Sequence, residues 1–547
     1  MTPPNHRKLV PMIRRNYELL LLLIVALLLY LPLMSCSLDE WDSYNFAFAL
    51  KAYDVLRHQP HPPGYPLYVF VGRIALYLVG NPLTALTIVS AISGALTMAP
   101  TYLLSRRMYD RQTAVLTSLA LMFTPALWIT SESALTDTLF TFLLVSAIYL
   151  LYSGIKGSSK MLQISWFVYG FAIGGRPTLA SLTLLVLWVP STIFIAGKTR
   201  CRMLAVKWAV LFLASSLAWF VPMIWVVGWN NYWFVMQKQL VWATNMDFIW
   251  ARPLGLDPLQ KVSYMTMQIL AFSLGGAYTF VDGIFGSANP LANLHGILLA
   301  AAIAACIINF RNIRGRLFLF LWVVPYLTFV YLFGSPDYPR YFLPIVPAII
   351  IPLIASVVAV ARCIFGQRLF GLGRSCIRSG LQLFLTAILI TSFFVTTLPL
   401  AMTVHTQPAP TKQLFDYVIE HYPPGTVIIE CNERRVFEFY PNEMQHLDSH
   451  IDQKRVIVEL SHFSSKHTLL ITSSAYRYFA SHPAIAELRV RAIIEFFRDP
   501  RVSIEEHKVV LYEVVSVRLN QIEVTADSGF STLSTLRVSF VIRAPQR

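Results

Sequence analysis

Three carboxylates stand within four positions in the stretch Ser37-Leu38-Asp39-Glu40-Trp41-Asp42. A carboxylate set beside a hydroxyl can take its proton as the oxygen attacks carbon, so general-base work is the chemistry this cluster suggests. The bland account is helix capping, in which an acid accepts orphan backbone N–H groups and complements the helix dipole. Capping accounts for one acid of the three and leaves the others unexplained. Downstream lies His61-Pro62-Pro63-Gly64-Tyr65-Pro66. Prolines at that density exclude a helix, so the stretch is a rigid turn that holds His61 and Tyr65 in fixed positions. A further acid, Asp137, ends the short segment Ser131–Asp137 just before another apolar run. An unpaired carboxylate at a membrane edge is costly, so Asp137 either lines a cavity or caps the helix that follows.

The elements that must position these residues are membrane spans. Of 547 residues, 56% are hydrophobic and only 13% charged, where an ordinary soluble domain is about 25% charged. A mostly soluble protein is excluded. Runs of bilayer-crossing length, about 17 to 25 residues, cover Leu19–Met34, Leu83–Leu104, Thr113–Thr130, Pro177–Ala196, Leu204–Val227, Leu291–Phe310, Leu317–Phe333, Tyr341–Ala361 and Leu381–Met402. Thr138–Tyr152 and Met161–Gly175 are slightly short and span only with thinning or help from neighbours. Eleven spans result, or thirteen under a different division of the chain. Val262–Phe285 is apolar enough to cross but would invert everything after it, so it reads as re-entrant or interfacial.

Basic residues collect in every second connection: before the first span, at Arg106–Arg111, Lys156–Lys160, Lys198–Lys207, Arg311–Arg316 and Arg362–Arg378, twenty in all against Glu18 and Asp110. Such loops stay on the cytoplasmic side, which places the N-terminus inside and, with an odd number of spans, the C-terminus outside. The net charge of +15 is then an orientation signal, and a nucleic-acid partner is not implied.

After Met402 the composition becomes mixed and water-soluble. Residues 1–403 form the membrane part and 404–547 an extracytoplasmic α/β domain. In the latter, Thr411–Tyr422 carries a helical stripe; Val427–Ile429, Val456–Leu460, Leu469–Thr472 and Val509–Tyr512 read as strands, Pro483–Phe497 as a helix, and the end as a β-rich tail. The fold class is a polytopic α-helical membrane protein with a C-terminal extracytoplasmic α/β domain. Six cysteines show neither metal spacing nor a disulfide framework.

On this topology the outer side of the membrane part holds few cations. Arg340, in Asp337-Tyr338-Pro339-Arg340-Tyr341, and Arg176, in Gly174-Gly175-Arg176-Pro177, stand at outer span junctions. The guanidinium fork suits a phosphate; snorkelling is the plain alternative. Lys238 and Arg252 lie in the Gly228–Lys261 segment, whose Trp and Tyr residues read first as an interfacial belt and second as a grip on sugar or lipid.

Acids at the outer end of span one, the His-Pro-Pro-Gly-Tyr-Pro stretch, a Thr-Asp loop before the fourth span and the Arg340-Tyr341 pair together resemble the type C (GT-C) glycosyltransferase superfamily. Within it the resemblance is to the branch of protein O-mannosyltransferases, lipid A aminoarabinose transferases and related polyprenyl-phosphate-sugar-dependent enzymes. It covers most of Leu19 to Ala401. It implies an inverting enzyme that moves a sugar from a polyprenyl phosphate to an acceptor hydroxyl at the outer face of the cell inner membrane, the acceptor being a glycolipid, a polysaccharide or a protein. The family's Asp-Glu motif aligns with Asp39-Glu40, but its spacing to an aromatic-Ala pair favours Asp42, four residues before Phe46-Ala47; the base is Asp42, with Asp39 and Glu40 as alternatives and Asp137 as a further catalytic acid. Arg340 and Tyr341 fall where the family meets the lipid phosphate, and His61, Tyr65, Arg176, Lys238 and Arg252 complete the expected substrate contacts. The outer carboxylates allow a divalent metal ion, though no spacing demands one. A membrane transporter or glycolipid flippase is the competing reading, but its ionisable groups should sit near the midplane, not at the outer span ends.

Overall fold

The computed structural model describes residues 6–199, 202–247, 257–275, 290–334, 338–366, 375–449, 451–461, 468–480, 482–499, 501–502 and 507–520. The chain divides into two compact units, Met1–Pro408 and Ala409–Arg547.

The first unit is all helix: α1 (His6–Tyr30), α2 (Trp41–Lys51), α3 (Pro66–Val79), α4 (Pro82–Leu96), α5 (Met98–Met108), α6 (Arg111–Met122), α7 (Pro125–Glu132), α8 (Asp137–Ile155), α9 (Ser159–Gly175), α10 (Leu179–Thr183), α11 (Leu185–Thr199), α12 (Arg202–Val227), α13 (Trp229–Trp242), α14 (Pro258–Met267), α15 (Pro290–Ile308), α16 (Arg316–Phe333), α17 (Val346–Gly366) and α18 (Ser375–Thr406). Helices follow from the solvent. Hydrocarbon offers no partner to a backbone N–H or C=O, so each segment must satisfy its own. Among the described residues eight helical segments are long and apolar enough to cross a membrane, nine if the pair α6 and α7, bent by 55°, counts as one span. All eleven expected runs hold a helix or a helix pair. Asn81, Asp110 and Ser158 cap α4, α6 and α9 through side-chain bonds to backbone N–H groups.

Large aromatics fill the interior: Trp128, Trp188, Trp208 and Trp322 are fully buried, and the Tyr169 and Trp188 rings stack at 4.0 Å. The outward faces are equally apolar. Along α12, Val206, Val210, Leu213, Leu217, Val221 and Trp225 are exposed at helical spacing, the surface a lipid-facing helix presents. This chain is a multi-pass membrane protein.

Two features of the segment after α1 are not announced by its sequence. Asn45, Phe46, Ala49 and Leu50 are buried inside the protein; nearly the whole circumference of α2 is covered. An apolar run too short to register as a span, Pro66–Val79, forms α3, whose Arg73 donates to the carbonyls of Ala49 and Leu50 at the end of α2.

The second unit is built from α19 (Pro410–His421), β1 (Val427–Glu430), α20 (Arg434–Phe439), β2 (Gln445–Asp448), α21 (Gln453–Ser461), β3 (Leu469–Thr472), α22 (Ser473–Ala480), β4 (Ile485–Phe497) and β5 (Lys508–Leu519). The sheet order is β2-β1-β3-β5-β4, with β1 parallel to β2 and β3, and β5 antiparallel to β3 and β4. Two elements change type. Val456–Leu460, expected as a strand, lies in α21, because Val456 and Leu460 sit one turn apart and are both buried. Pro483–Phe497, expected as a helix, is mostly β4, whose ladder with β5 outweighs its helical composition. The β-rich tail falls at 521–547, outside the described residues.

Candidate active site

The acidic segment follows α1 directly, and its three acids part company. Asp39 turns into the loop, where both carboxylate oxygens accept from serine hydroxyls, Ser35 at 2.8 Å and Ser37 at 3.0 Å. Glu40 precedes α2 in extended backbone, and its side chain caps nothing in that helix. Asp42, in the first turn of α2, points with Glu40 toward a residue about three hundred positions away. A single terminal nitrogen of Arg340 lies 2.9 Å from Glu40 Oε2 and 2.9 Å from Asp42 Oδ2. Capping is therefore not what holds Glu40 and Asp42.

Arg340 is delivered by a 3₁₀ turn, Pro339–Ile345, anchored from α16 by Tyr326 Oη donating to the Tyr341 carbonyl at 3.0 Å and Trp322 Nε1 to the Pro344 carbonyl at 3.1 Å. Its guanidinium is buried, 4.8 Å from the Tyr338 ring centroid and 5.6 Å from that of Tyr341.

The other oxygen of Asp42 faces His61, whose Nδ1 is 3.2 Å away but not aligned to hydrogen-bond. His61 Nε2 and Tyr65 Oη lie 3.0 Å apart, and the Phe46 ring packs on both, at 5.4 Å and 5.2 Å between centroids. The turn that presents them depends on Gly64 at φ +111°, where a Cβ would meet Tyr53 Oη at 2.6 Å; Tyr53 donates to the Gly64 carbonyl at 2.7 Å.

A second ion pair stands beside the first. Asp137, in the first turn of α8, pairs with Arg176 at the end of α9, both buried. Thr136 Oγ1 donates to the Gly175 carbonyl at 2.6 Å, tying the two helix ends together. The Arg176 guanidinium is 4.9 Å from the centroid of the Tyr341 ring, so both guanidiniums lie near the same aromatic ring.

Burial alone would raise the Asp42 carboxyl, but His61, Arg340 and Arg176 outweigh it and hold the group below its ordinary value. Burial drives His61 down to about 4, against the pull of Asp42. At neutral pH His61 is uncharged, so the arginines keep Asp42 ionised. Burial also pushes the Tyr65 hydroxyl up to about 12, leaving it a donor. The donors do not suit a divalent ion: among the described residues no three His, Cys, Asp or Glu side chains gather as metal ligands, and the Arg340 guanidinium fills the point where Glu40 and Asp42 converge.

Of the candidate residues, Glu40, Asp42, His61, Tyr65, Asp137, Arg176, Arg340 and Tyr341 come together. Asp39 is held apart by its serines. Lys238 is exposed on α13, its ammonium 4.3 Å from the centroid of the Phe234 ring. Arg252 lies outside the described residues. Tyr338, two residues before Arg340 and beneath its guanidinium, was not singled out from sequence; an aromatic so close to a candidate phosphate ligand was the available signal.

The profile of the family described as dolichyl-phosphate-mannose-protein mannosyltransferase matches residues 60–226. The fold is similar to that of ArnT from Cupriavidus metallidurans bound to undecaprenyl phosphate, with a TM-score of 0.54 and 14% identity over 91% of this chain and 98% of that one. The two proteins share a fold. The same ArnT in its apo state matches this chain with a TM-score of 0.50 and 14% identity over 90% and 97% of the two chains. The archaeal oligosaccharyltransferase AglB from Archaeoglobus fulgidus, in complex with an inhibitory peptide and a dolichol-phosphate, overlaps less, with a TM-score of 0.49 and 15% identity over 79% and 64%. No curated protein matches this chain. The matched stretch 60–226 contains the His61–Tyr65 turn, Asp137 and Arg176, while Glu40, Asp42 and Arg340 lie beyond it.

Proposed function

We propose that this protein is a glycosyltransferase that moves a sugar from a polyprenyl-phosphate carrier to an acceptor hydroxyl with inversion at the anomeric carbon, and that Asp42 is the general base. The observation that carries this reading is the division of labour at Asp42: one oxygen rests on Arg340, while the other faces His61 Nδ1 with no hydrogen bond between them. An acceptor hydroxyl entering there gives its proton to Asp42 as its oxygen attacks the anomeric carbon. The bond from that carbon to the phosphate oxygen breaks on the opposite face, and its electron pair stays with the phosphate. Lipid phosphate is a good leaving group as an anion, so no acid is needed; cations must meet it, and Arg340 with Arg176 supplies them. Neutral His61 orients the hydroxyl, and Tyr65 orients His61. Asp137 holds Arg176, and Asp39 holds the loop.

ArnT was seen with undecaprenyl phosphate bound, which supports a lipid-linked donor here. The sugar is a hexose or pentose, and the acceptor a glycolipid, a polysaccharide or a protein. We place the enzyme in the cell inner membrane, with a cytoplasmic N-terminus and residues 404–547 as an extracytoplasmic domain, from the basic loops. A transporter or flippase would leave the paired acid, imidazole and guanidinium without a role. The test is to incubate membranes containing the protein with radiolabelled polyprenyl-phosphate sugars of several kinds and follow the label. Transfer of one label to a lipid, polysaccharide or protein fraction, lost in Asp42→Asn, is the expected result; consumption of none of them would overturn the reading.

A further inference from the structure

Arg340 is shared in an unusual way. One of its nitrogens hydrogen-bonds Asp42 and forms an ion pair with Glu40, each at 2.9 Å, while its Nε is buried with no hydrogen-bond partner among the described residues. A buried guanidinium N–H normally finds an acceptor, and a phosphate brings several acceptor oxygens. The charges point the same way. Among the described residues Glu40, Asp42 and Asp137 stand against Arg176 and Arg340, so acids outnumber guanidiniums before any phosphate enters. An anionic donor that docks on Arg340 competes with the carboxylates already on it.

The backbone says which one yields. Asp42 is fixed in the first turn of α2, with His61 alongside. Glu40 precedes the helix at φ −130° and ψ 159° and caps nothing in it. Rotation of its longer side chain swings the carboxylate away without unwinding α2. We infer that Glu40 is an exchangeable counter-ion of Arg340: the donor's phosphate takes the guanidinium from Glu40, and Glu40 reclaims it as the spent lipid phosphate leaves.

This rests on the donor chemistry proposed above. The donor is a phosphodiester with one negative charge. Once the sugar–oxygen bond breaks, the product is a phosphate monoester that carries more charge and holds a guanidinium more tightly. A carboxylate competing for Arg340 offsets that tightening and speeds release. It also keeps a buried cation paired between turnovers, when leaving it alone would be costly. Glu40 is thus a positioning residue acting through Arg340.

The test is equilibrium binding of undecaprenyl phosphate to the purified full-length protein in nanodiscs, alongside inhibition of transfer by the same lipid. Glu40→Gln removes the competitor and should tighten binding about tenfold, with product inhibition deepened to match. Glu40→Asp, which keeps the charge but shortens the reach, should fall between Gln and wild type. Arg340→Ala should bind weakly whatever stands at position 40. Merely structural damage at Glu40 would not tighten binding. Unchanged or weaker binding in Glu40→Gln, with normal binding by the wild type, overturns the exchange and leaves the donor assignment standing. If the wild type itself fails to bind the lipid phosphate, the donor assignment falls and the exchange with it.

Discussion

Asp42 and Glu430 are both acids withdrawn from water, and they meet opposite fates. Asp42 shares a guanidinium and stays ionised below its ordinary value. Glu430, fully buried at the end of β1, has no hydrogen bond to either carboxylate oxygen among the described residues. Its nearest cation candidate, His446, lies 3.6 Å off and is itself driven down by burial. Arg434 is occupied at 2.5 Å by Glu438 and at 3.4 Å by Asp448. Burial therefore raises Glu430 well above its usual range, and Asp448 and Glu433 raise it further. The difference teaches that burial without a closely paired cation pushes an acid toward its neutral form. A base needs a cation brought to it, and in the membrane unit that cation arrives from the far end of the sequence.

The largest effect should come from removing the ionised acid. Asp42→Asn should cost about a thousandfold or more in transfer rate, measured with labelled donor in membranes, with expression and insertion unchanged; full activity in this variant would sink the base assignment. Removing the cation should come next. Arg340→Ala should lower kcat/KM for the donor about a hundredfold, chiefly through a higher donor KM, and a rate with unaltered dependence on donor concentration would argue against phosphate contact.

A pH profile sharpens the contrast without mutation. Because Asp42 lies below its ordinary value and His61 at about 4, kcat/KM should stay level from pH 8 down to about 5 and fall only as both groups take up protons near and below pH 4. An acid limb centred near pH 6.5, the ordinary value of an imidazole, would show that His61 is charged in the working enzyme.

The smallest effect is expected at Glu430. Its folded-state value is raised, so its contribution to stability is complete below the unfolded value and is lost as pH rises through the folded one. Glu430→Gln should leave local stability nearly unchanged in acid and raise it progressively as pH rises toward neutral, because the amide escapes the loss that the raised carboxyl imposes. Hydrogen exchange of β1 and β3 in the full chain, followed against pH, checks this: wild-type protection should decline with rising pH more steeply than that of the variant. Equal slopes would mean that Glu430 is ionised after all.

Much of the membrane unit is legible in the sequence because hydrophobicity is a local sum. Each apolar run reports its own solvent, and the eleven runs from Leu19 to Met402 each hold a helix or a helix pair. α3 escaped because a fourteen-residue apolar helix is too short to announce a span. In the second unit short elements misled: Val456–Leu460 is β-branched enough to look like a strand, and its register with a buried neighbour one turn away decides for α21. The acids of the first loop were visible as a cluster, but their separate duties were not. Asp39, Glu40 and Asp42 differ in what meets them, and Ser35, Arg340 and His61 are not distinguishable as partners by spacing.

By itself the sequence determined the solvent of each segment, the side of the membrane on which basic loops should lie, and the chemistry available at the outer face, because these depend on residue type and local order. Tertiary structure alone decided that Asp42 meets Arg340 across 298 positions of chain, that Asp39 accepts from two serines, and that the guanidinium near Glu430 is taken by Glu438 and Asp448. Charge state in a low-dielectric interior is set by whichever group arrives within a few ångströms, and that is a property of the packed helices and not of the order of residues along the chain.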